Sequence, residues 1–154
     1  YAGAGEIVDG LITEVDKLKK HSNVKKVLFD DNSLIATIFT EVFSIKKVLD
    51  ASNNDNDISD GYNLPYVLGE YRITVDFLNA QVVCSLEHNI GLSGSTHFHI
   101  GSRICFGNMG GVVSLALAQF RLLPVFEILI EILETVRDGD TINSIGSIAP
   151  CMEK

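Results

Sequence analysis

The chain has 154 residues, of which 46% are hydrophobic and 21% charged, and its formal net charge is −8. This length and balance predict a single globular domain spanning 1–154 and exclude the disordered and fibrous classes. The acidic balance argues against a general nucleic-acid binder, because a polyphosphate backbone is repelled at long range.

The first part of the sequence predicts a helix followed by a β-hairpin. Apolar residues recur at helical spacing over 6–21, with acidic residues early and basic residues at the end, as in an amphipathic helix. Segments 24–29 and 34–43 are rich in Val, Ile, Phe and Thr and flank an Asp-Asp-Asn-Ser turn, which predicts two paired strands. Residues 45–49 are expected either to prolong the second strand or to start a new one.

The middle of the sequence predicts an acidic loop and two further strands. Segment 50–63 has four aspartates and no basic residue, which is typical of a solvated loop. It superficially resembles a calcium loop, but the EF-hand order of ligands, glycine and terminal glutamate is missing, so no calcium site is predicted. Strands are predicted at 71–78 and 81–86, and the first alternates apolar with polar residues, as in a sheet with one covered face.

The last third of the chain is predicted to be helical. Residues 112–120 are almost wholly apolar, and 122–137 carries three glutamates on one stripe of an otherwise apolar helix, which is therefore expected to be buried. Those glutamates and the length of the segment exclude a membrane span. Residues 141–154 are interpreted as an irregular tail, leaving a core over about 6–140. Helix, four antiparallel strands, irregular segment and helices together predict an α+β fold.

Reactive side chains are concentrated in the segment 87–111. It holds three of the four histidines, six of the thirteen glycines and one of the three cysteines. A thiol becomes a useful nucleophile where a cation, a hydrogen bond or a helix N-terminus stabilises the thiolate, and glycines let the backbone fold closely around it. Cys105 is therefore the candidate nucleophile. Cys84, inside an apolar strand, is expected in the core, and Cys151 is assigned no role.

One short stretch, together with the order of elements, resembles a known family. The sequence His97-Phe98-His99-Ile100 is followed by Ile104-Cys105-Phe106-Gly107-Asn108. A histidine-led tripeptide shortly before such a cysteine is similar to the active site of ubiquitin-conjugating enzymes, and the match looks closest to bacterial members with His-Pro-His and Cys-Phe-Gly-Asn. The resemblance implies a UBC-like fold: N-terminal helix, four-stranded antiparallel meander, glycine-rich active-site loop and C-terminal helices. Phe98 replaces the family's proline, and the typical tryptophan after the cysteine is missing, which argues against ligase binding of the eukaryotic kind.

The resemblance also implies a function for individual residues. Cys105 would accept the C-terminal carbonyl of a ubiquitin-like protein from an activating enzyme as a thioester, and would pass it to a protein or other acceptor nucleophile. His99 or Asn108 would donate a hydrogen bond to the oxyanion. An acid near the end of the long helix, Asp138 or Asp140, would assist loss of the amine proton. No cofactor and no metal are expected.

His97 is expected to fix the loop by hydrogen bonding to backbone, but other interpretations of this segment remain open. The chain would be a non-catalytic UBC-like interaction module if Cys105 were buried and tolerated serine. It would be a cysteine hydrolase if His97 or His99 placed a ring nitrogen within hydrogen-bond reach of the sulfur. A zinc site built from both histidines with Cys105 or His88 is a further possibility, although the spacing matches no common structural site.

The three cysteines also bear on the compartment. They form no CxxC pair, so neither a disulfide framework nor a four-cysteine zinc site is expected. No signal peptide is recognisable at the start of the sequence, and a reducing cytoplasm is the expected location. Neither a nucleic acid nor a membrane is an expected partner. His21 and His88 are interpreted as surface or capping residues.

Overall fold

The computed structural model describes residues 3–91, 97–101 and 103–154. Its elements in chain order are α1 (Ala4–Lys19), β1 (Val24–Asp30), β2 (Ile35–Ile45), β3 (Lys47–Asp50), β4 (Asn56–Asp57), β5 (Tyr66–Asp76), β6 (Gln81–Asn89), α2 (Gly110–Ala118), α3 (Leu123–Glu134), β7 (Thr135–Asp138) and α4 (Ile145–Ile148). Short 3-10 turns lie at Ser59–Gly61 and Gly107–Met109.

The strands form two sheets. The larger has the order β1-β2-β5-β6, and every neighbouring pair is antiparallel. The smaller has the order β4-β3-β7, in which β3 and β7 run parallel. An α+β fold with an N-terminal helix, a four-stranded antiparallel sheet and C-terminal helices is thus confirmed. Strand β3 is the new strand that was one of the two options for 45–49, whereas the smaller sheet that it joins was not predicted.

The core lies between the larger sheet and the helices. Helix α1 packs against β1, and α3 packs against β2. Alternation along β5 places one set of side chains inward, as the sequence predicted. The fully buried side chains include Leu11 and Leu18 from α1, Ile38 and Ile73 from the sheet, and Val125 and Leu129 from α3.

The predicted helix over 122–137 is wrong at its C-terminal end. Helix α3 ends at Glu134, and the next four residues form strand β7, paired with β3. The β-branched Thr135 and Val136 favour extended backbone. The Lys46 N–H, between β2 and β3, donates to the carbonyl of Glu134 (2.8 Å), so a partner distant in sequence holds the chain where the helix ends.

Two segments predicted to lack regular structure contribute to the packing. The acidic stretch 50–63 contains β4 and a 3-10 turn, and its Tyr62 is buried. The tail 141–154 contains the short helix α4, and it buries Ile145, Ile148 and Met152. The solvated loop is confirmed over the exposed residues 52–57 and is wrong at Tyr62, and the irregular tail is wrong at α4. In both places apolar residues pack against elements far away in sequence. Strand β5 also begins earlier than predicted, at Tyr66.

None of the helices in the described ranges is both long enough and apolar enough to cross a membrane.

Candidate functional site

Cys105 lies just before helix α2, where the chain makes a tight turn. Its backbone N–H donates to the carbonyl of His99 (2.8 Å), and the N–H of Met109 donates to the carbonyl of Phe106 (3.0 Å). Gly107 has a φ of +59°, a left-handed conformation that favours glycine. The thiol is free and half-buried. This turn therefore holds a partly accessible thiol in a defined position.

The Cys105 side chain lines a cleft of about 810 Å³. Its polar walls include Asn108 from the turn, Glu127 and Glu131 from α3, and Asp140 beyond β7. Its apolar surface comes mainly from Phe106, Met109, Val112, Pro124, Ile128 and Ile132. Of the two candidate acids, Asp140 shares the cleft with the thiol, whereas the Asp138 carboxylate accepts a hydrogen bond from the Tyr62 hydroxyl (2.9 Å).

Negative charge predominates in this cleft. Glu127 and Glu131 are exposed, and no Lys or Arg among the described residues lies within ion-pair distance of either one. Arg137 is the one Lys or Arg that lines the cleft among the residues described, and its Nε lies 3.7 Å from the Asp55 carboxylate. The surface beside Cys105 should therefore attract cationic groups and repel anionic ones.

His97 is fully buried, and both of its ring nitrogens face backbone groups. Its Nδ1 accepts the N–H of His99 (3.1 Å), and its Nε2 lies 3.2 Å from the carbonyl oxygen of Leu133 at the end of α3. Burial lowers the pKa of His97 to about 3, with a smaller contribution from the neighbouring His99 ring. A neutral His97 thus makes the backbone contacts expected of a loop-fixing residue.

His99 is also buried and is held by β7. Its Nε2 accepts the backbone N–H of Arg137 (3.0 Å). Burial lowers the pKa of His99, the positive charge of Arg137 lowers it further, and Asp140 opposes both effects. Because Nε2 is an acceptor here, only Nδ1–H remains for donation to an oxyanion, and a hydrogen bond with the Asp140 backbone also engages this ring.

The thiol has no histidine base among the described residues. Neither His97 nor His99 has a ring nitrogen hydrogen-bonded to the Cys105 sulfur, and their nitrogens contact backbone groups instead. Within the same ranges, no group of three His, Cys, Asp or Glu side chains is arranged to hold a metal ion. Asn108, on the Cys105 turn, is exposed and lines the cleft, so its side-chain amide is placed to donate there.

The remaining cysteines and histidines lie outside this cleft. Cys84 is buried in β6, as predicted, and burial raises its pKa to about 12. Cys151 is exposed on the tail. His88 is exposed, with its Nδ1 2.7 Å from the Glu70 carboxylate. His21 accepts the Asn23 N–H at Nδ1 (3.1 Å). Neither of these two histidines approaches the thiol, which agrees with their interpretation as surface or capping residues.

The sequence analysis missed a buried carboxylate that supports the cleft wall. Glu14 of α1 accepts hydrogen bonds from the backbone N–H groups of Leu122 and Leu123 (both 3.1 Å) and from Nε of Arg121 (3.2 Å). It thereby caps the beginning of α3, which forms one side of the cleft. A signal was present, because Glu14 interrupts the apolar face that carries Leu11 and Leu18.

A second missed residue lies in the tail. The Asn143 side chain donates from Nδ2 to the carbonyls of His97 (2.9 Å) and Ile100 (3.2 Å). The same asparagine donates its backbone N–H to the carbonyl of Phe98 (3.0 Å). Nothing in the local sequence predicts this contact, because the tail and the tripeptide are far apart in the chain. The predicted glycine-rich loop is described only in part, since 92–96 and residue 102 lie outside the described residues.

Comparisons of the chain with protein-family models, with curated proteins and with solved structures give no match.

Proposed function

We propose that the chain is a UBC-like conjugating enzyme that carries a ubiquitin-like protein as a thioester on Cys105. The observation that carries this proposal is a half-buried thiol that opens into a cleft and has no histidine base among the described residues. The element order supports it, since an N-terminal helix and a four-stranded antiparallel sheet precede the His97-to-Cys105 segment and helices follow it.

The chemistry requires a group that both attacks and leaves. In loading, the Cys105 thiolate attacks the C-terminal carbonyl carbon presented by the activating enzyme. A C–S bond forms, and the bond from that carbon to the activating enzyme breaks, so that the enzyme's group leaves with the electron pair. In discharge, an acceptor amine attacks the same carbon, a C–N bond forms, and the Cys105 thiolate leaves. A thiol suits both steps because it is a strong nucleophile and a good leaving group.

Because no histidine base contacts the thiol among the described residues, an acyl-carrying cysteine is favoured over a cysteine hydrolase. A hydrolase needs a ring nitrogen to take the proton of the thiol and later to activate water. Both candidate rings are committed to backbone groups, His97 at both nitrogens and His99 at Nε2. Among the described residues no histidine ring is free beside the sulfur to activate water, so a thioester on Cys105 would persist long enough to meet its acceptor.

The charge of the cleft favours an amine acceptor. Glu127, Glu131 and Asp140 surround the route to Cys105 with negative charge, which raises the local concentration of a protonated amine. Asp140 is the better placed of the two predicted acids to accept the amine proton, because it lines the cleft. Asn108 is the candidate donor to the oxyanion formed in each transfer.

A non-catalytic interaction module would be expected to bury Cys105. Cys105 is instead only half-buried and lines a cleft, which favours the catalytic proposal. Residence in a bacterial cytoplasm and dependence on an activating enzyme stay predictions of the resemblance.

The proposal is tested by incubating the chain with an activating enzyme, ATP and a ubiquitin-like protein from the same organism. We expect an adduct on a non-reducing gel that disappears with dithiothreitol and with Cys105→Ala. Cys151→Ala, which removes an exposed thiol, is the matched control and should load normally. Cys105→Ser should trap a more stable ester. If no enzyme and modifier pair yields an adduct, the interaction module replaces this proposal.

A further inference from the structure

Two buried imidazoles each accept a backbone N–H. His97 accepts the N–H of His99 at Nδ1 (3.1 Å), and His99 accepts the N–H of Arg137 at Nε2 (3.0 Å). A ring nitrogen accepts a hydrogen bond only when it carries no proton, so each of these bonds requires a neutral ring. The two contacts are linked through His99, which donates its backbone N–H to the His97 ring and accepts the Arg137 N–H with its own ring.

The same contacts assign opposite tautomers to the two rings. In His97 the proton must be on Nε2, which faces the carbonyl oxygen of Leu133 (3.2 Å). In His99 the proton must be on Nδ1, because Nε2 is the acceptor. Protonating either ring would place two N–H groups face to face, at His97 Nδ1 with the His99 amide or at His99 Nε2 with the Arg137 amide.

These rings hold the segment that carries Cys105. The carbonyl of His99 accepts the N–H of Cys105 (2.8 Å), so the second ring and the thiol residue are one hydrogen bond apart along the backbone. The rings join this segment to the end of α3 through Leu133 and to β7 through Arg137. Losing these bonds would free the Cys105 segment from two elements at once.

We propose that His97 and His99 form a pH-sensitive latch, closed when both imidazoles are neutral and opened by protonation, which controls the position of Cys105. The latch itself does not depend on the assigned chemistry. Its consequence for thioester transfer rests on the proposed function, since an open latch would displace the thiol from its cleft.

The surrounding charges determine the direction of the effect. Among the described groups, the His99 ring acts on His97, and Arg137 of β7 and Asp140 beyond it act on His99. Burial lowers the pKa of both rings, and Arg137 lowers that of His99 further, whereas Asp140 partly restores it. The closed latch is therefore fully stable above the ordinary histidine pKa of 6.5 and loses stability as the pH falls below it.

The expected response is steep. A ring that takes a proton only in the open state shifts the open-to-closed ratio about tenfold for each pH unit below 6.5. If both rings behave in this way, the ratio shifts about a hundredfold for each pH unit. An ordinary surface histidine, such as the exposed His88, would cause no such opening.

The test is nuclear magnetic resonance on the full chain labelled with 15N, followed from pH 7.5 to 4.5. At pH 7.5 we expect two neutral histidine rings of opposite tautomer. As the pH falls below about 6, the amides of Cys105 and Arg137 should lose protection from hydrogen exchange, with uptake of more than one proton. Core amides of Ile38 and Ile73 should stay protected. His88→Gln removes the ring signals of the exposed His88 from the spectrum. Cys105→Ala should leave the histidine contacts intact, so this variant tests the latch separately from thioester chemistry.

Two outcomes would overturn the latch. In the first, the two buried rings have the same tautomer, or one of them titrates near 6.5 while the Cys105 amide stays protected. In the second, the Cys105 and core amides lose protection at the same pH, which would mean that acid unfolds the domain without local opening.

Discussion

The position of Cys105 depends on backbone contacts and on the conformation of neighbouring residues. Its backbone is tied to His99, and Gly107 allows the following turn by adopting a positive φ. Glu14 acts at a distance, since it caps the helix that forms the opposite wall. Single residues therefore affect this site through backbone geometry, which leads to two predictions.

Replacing Gly107 with alanine should lower the free energy of unfolding by about 1 kcal/mol, because an L-residue is strained at a φ of +59°. No atom lies within 4 Å of the added Cβ, so the cost would be conformational and not steric. The matched control is Gly111→Ala inside α2, which also has open space and should stabilise the protein by about 0.5–1 kcal/mol. Urea unfolding measures both, and effects of the same sign would contradict the assignment.

Glu14→Ala should destabilise the protein by about 2–3 kcal/mol in chemical denaturation. The substitution leaves the N–H groups of Leu122 and Leu123 without their acceptor in a part-buried site. Arg121→Ala is the control, because its side chain is 53% exposed and an exposed ion pair contributes less than about 1 kcal/mol. Equal losses for the two variants would show that the ion pair, and not the helix cap, is what matters.

At the scale of elements, helix α3 combines an unfavourable feature with a functional one. Glu127 and Glu131 are four residues apart on one exposed face, a like-charge spacing that weakens a helix slightly. Both line the cleft beside Cys105. Binding of a cationic ligand in the cleft would explain why α3 keeps two glutamates that repel each other.

Glu131→Lys should therefore raise the stability of the protein and lower its activity in thioester discharge. An attractive Glu–Lys pair at this spacing should replace the repulsive one and raise the free energy of unfolding by about 0.5 kcal/mol. Discharge of a loaded thioester to a lysine amine should become slower, because the cleft loses negative charge. Asp31→Lys, an exposed charge reversal in the turn between β1 and β2, is the control and should discharge normally. Unchanged discharge in the Glu131 variant would contradict the electrostatic part of the proposal.

Helices and strands with a strong local pattern of apolar residues were predictable from the sequence. Elements whose ends or pairing depend on residues distant in the chain were not. Alternation in β5 and helical spacing in α1 depend only on neighbours in sequence, and both elements are confirmed. Strand β7 continues an apolar helical pattern, and its partner β3 precedes it by more than eighty residues. The grouping of His97, His99 and Cys105 was visible in the sequence, but the contacts of the two histidines with Leu133, Arg137 and Asn143 come from α3, β7 and the tail.

At the scale of the whole molecule, the tail belongs to the folded domain. Met152 is fully buried, and the backbone N–H of Asn63 donates to its carbonyl (2.7 Å). Asn143 connects the tail to the His97 segment. The candidate site is therefore supported by both ends of the domain, Glu14 near the beginning and Asn143 near the end.

Met152→Ala should cost about 2–4 kcal/mol of unfolding free energy, because it removes a fully buried side chain and leaves a cavity. Ile142→Ala, a control in the same tail at a residue that is 36% exposed, should cost about 1 kcal/mol or less. Thermal or urea unfolding measures both. A negligible loss for Met152→Ala would indicate that the tail is not part of the core.

The central claim is that Cys105 carries an acyl group, and intact-mass spectrometry tests it most directly. After incubation with an activating enzyme, ATP and a ubiquitin-like protein, we expect the chain's mass to rise by that of the modifier minus one water. Peptide mapping should locate the addition on Cys105, and dithiothreitol should remove it. An adduct that survives Cys105→Ala, or that maps to Cys151, would contradict the claim.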